Sequence, residues 1–268
     1  NTSRSRLLPE AGSDAVTAVS TWANPILQVA DEDGIATATA GTQRIDWSYR
    51  PGLLLVDRHS MSLDGIEVET PDGLRLALDS LTGDSRAEVL PDGRFDSISS
   101  YRLGKLSGEQ ADSEPSEPPF RLSVGGATLQ TELRGVDLVA YGDALRSEDP
   151  KARARVLDTA LRIGGSFGVD GINAEGPDEE AEEAGLLRIA LDRFGIDVMM
   201  ERPAPAAPVD LGIDYALAGL RVDRDGIPAG ALGEGRLRLS GSGWNLAGLQ
   251  AAVDAYDAAD ADEAPAAA

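Results

Sequence analysis

The segment Leu63-Asp-Gly-Ile-Glu-Val-Glu-Thr-Pro-Asp-Gly-Leu-Arg-Leu-Ala-Leu-Asp79 decides the predicted fold. Ile66 and Val68 alternate with two glutamates up to a Pro-Asp-Gly turn, and three leucines alternate with other residues after it. Alternation with a period of two places apolar residues on one face of a strand. The segment therefore predicts an antiparallel β-hairpin.

Asp-Gly pairs recur six times along the 268 residues and predict further turns. Asp and Gly both tolerate the positive φ that tight hairpin turns require. We therefore expect a long curved antiparallel meander with these pairs as turn markers. The pairs are Asp33-Gly34, Asp64-Gly65, Asp72-Gly73, Asp92-Gly93, Asp170-Gly171 and Asp225-Gly226.

Short apolar runs predict the other strands. In residues 43–50, Ile45, Trp47 and Tyr49 share one face, whereas residues 53–56 lack alternation, which favours a strand covered on both faces. Residues 187–198 alternate with a slip near Arg193, which predicts a bulged strand or, as the alternative, a helix up to Gly195. The remaining predicted strands are 87–90, 97–106, 120–124, 127–133, 136–141, 211–217 and 237–239.

Three helices are predicted among the strands, so the expected fold class is mainly β with a few helices (α+β). The first lies near residues 13–24 and ends before Pro25. The second lies near residues 150–163, starts with Pro150 at its first position and is closed by Gly164-Gly165. The third lies near residues 245–258 and begins at Asn245.

The length allows one large β-rich domain or two smaller ones, and we expect one domain over residues 1–260, with acidic loops at 109–118 and 176–184 and a disordered tail at 261–268. The net charge is −22, but residues 109–117, 176–183 and 254–268 hold 14 acids, and removing them leaves −8. Runs of like charge are typical of solvated loops and tails. An acidic surface argues against nucleic acid as a partner, because phosphates need Lys and Arg.

The absence of cysteine excludes disulfides and thiolate metal sites and leaves the compartment open. The chain begins at Asn1, and we interpret this start as removal of an export signal or N-terminal anchor. No run approaches the roughly 18 apolar residues that span a bilayer, so no transmembrane segment is predicted here. We expect a periplasmic location.

A short pattern, Leu-x-Gly-(Ile/Val/Leu)-x-(Val/Leu), occurs three times, with its glycines at Gly65, Gly135 and Gly219. A glycine inside an alternating strand predicts a bulge, a bend or a close backbone approach. The pattern favours a bent strand that recurs along one sheet. Chance recurrence in a Leu-, Gly- and Val-rich composition is the alternative.

Two candidate catalytic residues have stronger structural explanations. Ser166 lies in a Gly-x-Ser-x-Gly match, but a helix is predicted before it and the only histidine, His59, lies upstream, so the strand-turn-helix context of a hydrolase elbow is missing. His59 lacks the spacing of a zinc site and is interpreted as a strand residue. Neither supports an enzyme.

The sequence also gives only weak signals for calcium binding or for hydrolysis by a pair of carboxylates. Residues 31–34 and 223–226 pair acids with glycine, but neither continues as a complete calcium loop, and turn chemistry explains both. A hydrolase with two dispersed carboxylates stays open among 46 acids, although nothing singles out a pair. No phosphate-binding loop is present. We expect no metal and no cofactor.

Two segments carry a resemblance to a known family: Trp22-Ala-Asn-Pro25-Ile-Leu27-Gln28-Val29 and Ser48-Tyr49-Arg50-Pro51. They resemble segments of the envelope proteins grouped as domain of unknown function 2125, found mainly in alphaproteobacteria. The resemblance implies an exported or membrane-tethered periplasmic protein with a long curved antiparallel sheet and no established catalytic residues. Similar sheets in AsmA-like and tubular lipid-binding proteins hold lipid, which is an analogy of fold alone.

The leading hypothesis is a non-enzymatic envelope protein whose curved sheet binds a hydrophobic ligand such as lipid, or scaffolds a protein partner. The alternatives are a structural subunit of a larger envelope complex, bound through a sheet edge, and a carboxylate-dependent hydrolase. Ordinary core packing is the competing explanation for the predicted groove residues. These are Leu53, Leu54, Leu55, Val56, Leu74, Leu76 and Leu78.

Overall fold

The computed structural model describes residues 2–9, 16–31, 34–50, 55–110, 119–147, 150–178 and 185–245. Within these ranges, 14 strands form one antiparallel sheet and two helices are present. The prediction of a mainly β protein is confirmed, whereas α+β overstates the helical part of the described residues. The strands are β1 (Thr2–Pro9), β2 (Val16–Ala23), β3 (Ile26–Asp31), β4 (Gly34–Ala40), β5 (Gln43–Arg50), β6 (Leu55–Glu69), β7 (Leu74–Val89), β8 (Arg94–Leu103), β9 (Leu106–Gln110), β10 (Phe120–Asp137), β11 (Arg162–Asp178), β12 (Gly185–Glu201), β13 (Val209–Arg224) and β14 (Ile227–Trp244), and the helices are α1 (Leu138–Arg146) and α2 (Pro150–Thr159).

Strands that follow one another in sequence mostly pair in the sheet. The hydrogen-bonded order is β1-β2-β5-β6-β7-β8-β10-β11-β12-β13-β14. β4 pairs with β3 and with one end of β6, and β9 pairs with one end each of β7 and β10. β4 and β5 therefore lie end to end beside β6, separated by two residues. β8 and β9 lie end to end beside β7 in the same way, also separated by two residues. The hairpin predicted from residues 66–79 is confirmed as β6-β7.

A line across the sheet, which we call the crease, divides the long strands in two. On either side apolar residues occupy alternate positions, but across the crease they are three residues apart. We call the side with β3, β4 and β9 the open half, and the other side the helix half. The register places these steps next to one another. The steps are Leu63/Ile66, Leu78/Leu81, Leu103/Leu106, Val124/Ala127, Val169/Ile172, Leu191/Phe194 and Leu217/Leu220.

Backbone hydrogen bonds explain the three-residue step. In a regular antiparallel strand, consecutive carbonyl groups point to opposite neighbours. At the crease, however, the carbonyl oxygens of Asp64 and Gly65 both accept the Gly41 N–H, at 2.7 and 3.0 Å. On β7, the Asp79 N–H donates to the Lys105 carbonyl oxygen at 2.9 Å and the Ser80 carbonyl oxygen accepts the Gly104 N–H at 2.7 Å, so two consecutive residues again bond to the same neighbouring segment. The strands rotate here, and the rotation keeps one face of the sheet apolar and the other polar.

Glycines provide the backbone conformation at the crease. Gly65, Gly171 and Gly219 have φ values of +59°, +63° and +68°, a region that glycine adopts without penalty. Gly219 is also tightly packed, since a Cβ there would lie 2.0 Å from a carboxylate oxygen of Asp192. The slip predicted near Arg193 is one of the seven steps, and no residue is inserted into the pairing.

The three glycines of the short repeat all have positive φ. Gly65 and Gly219 lie on the crease, as described above. Gly135 has φ +60° but lies at a register shift between Leu133 and Val136, beside α1. The pattern therefore marks a bent backbone in each case, although only two of the three bends occupy the same line of the sheet.

The Asp-Gly pairs have two structural roles. Asp72-Gly73, Asp92-Gly93 and Asp225-Gly226 lie in turns, and in the last both residues have positive φ, as a tight hairpin requires. Gly34 begins β4, while Asp33 lies outside the described residues. The interpretation of all six pairs as turn markers is wrong for Asp64-Gly65 and Asp170-Gly171, which lie inside strands at the crease.

The helix predicted near residues 13–24 is wrong, because residues 16–23 form β2 between β1 and β5. Val16, Thr17, Val19 and Thr21 are β-branched and favour an extended chain, and Ala18 is buried at 4% exposure. Residues 13–15 lie outside the described residues. So do residues 246–268, which include most of the predicted helix 245–258 and the predicted tail 261–268.

The helix predicted near 150–163 is shorter than expected. α2 ends at Thr159, and Gly164-Gly165 lie inside β11 instead of closing the helix. The buried Arg202 explains the end of α2, since its guanidinium donates to the carbonyl oxygens of Leu157 and Asp158. These last carbonyls have no partner within the helix.

The strand predicted at residues 136–141 is wrong beyond Asp137, where α1 begins. The Asp137 side chain accepts the Ala140 N–H at 2.8 Å and caps the helix. Part of each predicted acidic loop is also strand, because β9 extends to Gln110 and β11 to Asp178. Residues 111–118 and 179–184 are outside the described ranges.

The two helices cover one end of the apolar face in the helix half. Phe95, Val136 and Ala160 form a buried cluster, and the rings of Phe95 and Tyr141 meet edge-to-face at 5.0 Å. In the described part of the chain only five apolar residues are buried below the surface: these three, Ala18 and Val209. Most of the sheet is therefore a single layer.

Substitution of crease glycines by alanine should destabilise the protein in a graded order. We expect Gly65→Ala to cost roughly 1–2 kcal/mol, because its φ is positive but its surroundings are open. Gly219→Ala should cost more, because the new Cβ also displaces Asp192. Gly230→Ala in β14, with ordinary φ and open space, is the matched control. Urea unfolding measures the three, and equal losses would contradict the role of the crease.

Candidate functional site

The apolar face is continuous across the crease and largely uncovered. Outside the cluster that the helices cover, most of its residues are half-buried or exposed; Leu129 is 41% exposed and Phe167 is 39% exposed in the helix half, and Ile189 is 38% exposed in the open half. Large contiguous exposed apolar patches are uncommon on soluble monomers and often mark binding surfaces. In the helix half, one row across the strands consists of Met61, Tyr101, Leu129, Phe167, Ile196, Tyr215 and Leu237. In the open half, one row consists of Val68, Leu76, Leu122, Ile189 and Val222.

The predicted groove residues do not form one group. Leu74, Leu76 and Leu78 lie in the open half, half-buried on the apolar face, where Leu76 is opposite Val68. Val56 lies at the far end of β6 in the helix half and is 44% exposed, so the expectation of a strand covered on both faces is wrong for it. Leu55 begins β6, whereas Leu53 and Leu54 lie outside the described residues.

The polar face of the open half carries a row of alternating charges, which we call the charge ladder. Arg75 pairs with Glu69 at 3.0 Å, Arg121 with Glu109 at 3.1 Å, and Arg188 with Glu175 at 2.7 Å. Surface pairs of this kind contribute about 0–1 kcal/mol each. The register brings together Glu69, Arg75, Glu109, Arg121, Glu175, Arg188 and Asp223.

A concavity of about 800 Å³ lies on this polar face. The charge ladder lines it together with the next polar row, whose small residues include Ala77, Ser107, Ser123 and Ala190. Strands β4, β6, β7 and β9 to β13 contribute, so the polar side of the open half is concave. Of the predicted groove residues that the structure describes, Leu76 alone contributes to the lining.

A second concavity, of about 690 Å³, lies on the polar face of the helix half. Strands β2, β5, β6, β7, β8 and β10 line it. At its edge Arg50 pairs with Asp57 at 2.9 Å, and Asp57 is the extra residue where the β5-β6 register shifts. β-bulges of this kind redirect side chains and are common beside functional sites.

Asp214 is the most strongly perturbed acid of the described residues. Its two carboxylate oxygens accept hydrogen bonds from Arg236 and Arg238 on β14, at distances from 2.5 to 2.9 Å. These donors hold the pKa of Asp214 well below its ordinary value of 3.8, first through the Arg236 hydrogen bonds and then through those of Arg238. The carboxylate is fully engaged, which fits a role in holding the edge strand.

The residues tested for catalysis lie apart from one another. Ser166 lies in the middle of β11, opposite Gln130 and Asp197, without the strand-turn-helix geometry of a nucleophile elbow. His59 lies in β6, half-buried between Trp47 and Ser85. The structure does not bring them together.

Calcium ligation receives no support from the acidic turn at residues 223–226. The Asp225 carboxylate accepts the Leu186 N–H at 2.8 Å and so fastens the hairpin to β12. Across the described ranges, no group of three or more His, Asp or Glu side chains is placed to hold a metal ion. Residues 32 and 33 of the other candidate turn lie outside those ranges.

No family model, curated protein or solved structure shows significant similarity to this chain. Neither helix in the described ranges is both long and apolar enough to cross a membrane.

Asp214→Asn should reduce the acid sensitivity of the fold. Because the folded-state pKa lies below 3.8, the pairing stabilises the protein above that pH and this stabilisation is lost as pH falls. Between about pH 5 and pH 2, the urea midpoint of the variant should therefore decline less than that of the wild type. Asp197→Asn, opposite Asp214 on β12, is the control. Identical profiles for all three proteins would contradict the assignment.

Proposed function

We propose that the protein is a non-enzymatic component of the bacterial cell envelope that holds a hydrophobic ligand, a lipid, against the apolar face of its sheet. The uncovered apolar face is the observation that carries this proposal. Its side chains remain accessible because only two short helices cover one end of it in the described chain. Covering them with acyl chains gains about 25 cal/mol for each Å² of apolar surface removed from water.

The division of the two faces supports a ligand that is mainly hydrocarbon. Apolar residues continue from one half to the other through the crease, and most charged residues lie on the opposite face, with the Arg224–Asp178 ion pair at the end of the open half as an exception. A lipid chain needs contact area and no specific hydrogen bonds, which a row of aliphatic and aromatic side chains provides. Periplasmic location is part of the proposal, and the resemblance of residues 22–29 and 48–51 to envelope proteins supports it.

A glutamate on the apolar face should weaken lipid binding, whereas the same residue one position further should not. Leu129 and Gln130 are neighbours on β10 and point to opposite faces, so Leu129→Glu and Gln130→Glu add the same charge. Burying the carboxylate of Leu129→Glu should reduce affinity at least about tenfold. Quenching of tryptophan fluorescence by brominated phosphatidylcholine measures binding, since Trp47 lies on the apolar face. Equal quenching of both variants, or none in the wild type, would contradict the proposal.

A structural subunit of an envelope complex is the second candidate, and the edge strand β14 favours it. β14 pairs with β13 alone among the described strands, and its 18 residues include the exposed Leu232, Leu237 and Leu239. An open edge can bind a further strand. Native mass spectrometry of protein from its own source separates the candidates, because bound lipid and a co-purifying chain have different masses.

A further inference from the structure

Two pairs of like charges face each other across neighbouring strands on the polar face of the helix half. Arg58 on β6 is opposite Arg86 on β7. Two residues further along the same face of β7, Glu88 is opposite Asp96 on β8. Like charges in directly opposed positions destabilise a sheet. Placing two such pairs of opposite sign side by side needs an explanation.

Among the described strands, like charges also face each other at Arg134/Arg162, Asp197/Asp214 and Glu201/Asp210, but at least one member of each of those pairs forms an ion pair with an opposite charge. Fourteen arginines of the described chain form an ion pair with an acid within 4.0 Å. Among the described residues, no oppositely charged group lies within that distance of Arg58, Arg86 or Glu88. Asp96 accepts the Gly135 N–H at 2.8 Å, which fixes its carboxylate. Arg58, Arg86 and Glu88 are therefore unpaired among the described residues, and Asp96, although it lies near Arg134, forms no ion pair within 4.0 Å there.

All four residues line the 690 Å³ concavity, together with Thr17, Ser48 and Ser60, whose hydroxyl groups lie on the same polar face. The other charges at this site are neutralised locally. Asp46 pairs with Arg44, Asp57 with Arg50, and Arg134 with Glu132. The concavity thus presents a positive end at Arg58 and Arg86 and a negative end at Glu88 and Asp96.

We propose that this concavity binds a small amino-phosphate, with the phosphate between Arg58 and Arg86 and the ammonium group between Glu88 and Asp96. The planar guanidinium groups match phosphate oxygens with paired hydrogen bonds. An ammonium group has three N–H donors and can donate to both carboxylates at the same time. The two pairs are two residues apart along β7 and lie on opposite sides of it, so their centres are about 8 Å apart, and the long arginine and glutamate side chains can reach inward to a phosphate and an amine joined by two carbons. A plain polyanion meets repulsion from the negative end.

The inference does not rest on the proposed lipid function, because the concavity lies on the face opposite the apolar one. The same chemistry occurs in a free amino-phosphate and in a phosphoethanolamine lipid headgroup. The two sources differ at the phosphate, which is a monoester in the first and a diester in the second. Separate probes therefore distinguish them.

Isothermal titration with O-phosphoethanolamine, inorganic phosphate and dihexanoyl phosphatidylethanolamine tests the proposal. We expect the wild type to bind an amino-phosphate at least tenfold more tightly than inorganic phosphate. Arg86→Gln should weaken binding of each probe at least tenfold. Glu88→Gln should remove only the advantage over inorganic phosphate. The amino-phosphate probe that binds more tightly shows whether the natural ligand is a free amino-phosphate or a lipid headgroup.

Arg102→Gln is the matched control, because Arg102 lies on the same polar face between Thr82 and Thr128, outside the concavity. Its titrations should equal those of the wild type. The melting temperature of ligand-free Arg86→Gln should equal or exceed that of the wild type, since repulsion with Arg58 is removed, so lost binding is not lost folding. Absence of binding in the wild type, an equal loss in Arg102→Gln, or no effect of Glu88→Gln would overturn the proposal.

Discussion

The rotation of the strands at the crease is the constraint on which the rest of the structure depends. Strands of 15 to 18 residues twist, and their apolar side chains reach one face only if the alternation is kept. Here the alternation is interrupted once in each of seven neighbouring strands of the sheet, counting β8 and β9 as one. Because all the interruptions lie side by side, the faces stay separate. Positive φ at Gly65, Gly171 and Gly219 makes the interruption possible.

Separation of the faces gives the molecule two kinds of binding surface. The apolar face is a broad, half-exposed layer with the buried cluster of Phe95, Val136 and Ala160 at one end. The polar face holds two concavities, one lined by ion pairs that satisfy one another and one with like charges left opposed. A hydrophobic ligand suits the first face and a small zwitterion suits the second, so a single-layer sheet can serve both without a catalytic centre.

Local patterns predicted much of the sheet but little of the site. The alternation around the Pro71 turn predicted β6-β7 correctly, because period and turn chemistry are local properties. The slip near Arg193 was visible in the sequence, yet only the register shows that neighbouring strands slip together. α1 was missed because its helix depends on the Asp137 cap and on Tyr141 packing against Phe95, a contact distant in sequence. Likewise, the opposition of charges across strands depends on pairing that no single strand contains.

Single cysteines along β10 test the central claim most directly, because the chain has no cysteine of its own. Each position from 122 to 133 is replaced in turn and labelled with a polarity-sensitive fluorophore. We expect blue-shifted emission at positions 122, 124, 127, 129 and 133 and red-shifted emission at 123, 128 and 130, with a three-residue step at Gly125-Gly126. An unbroken two-residue period through these glycines would contradict it.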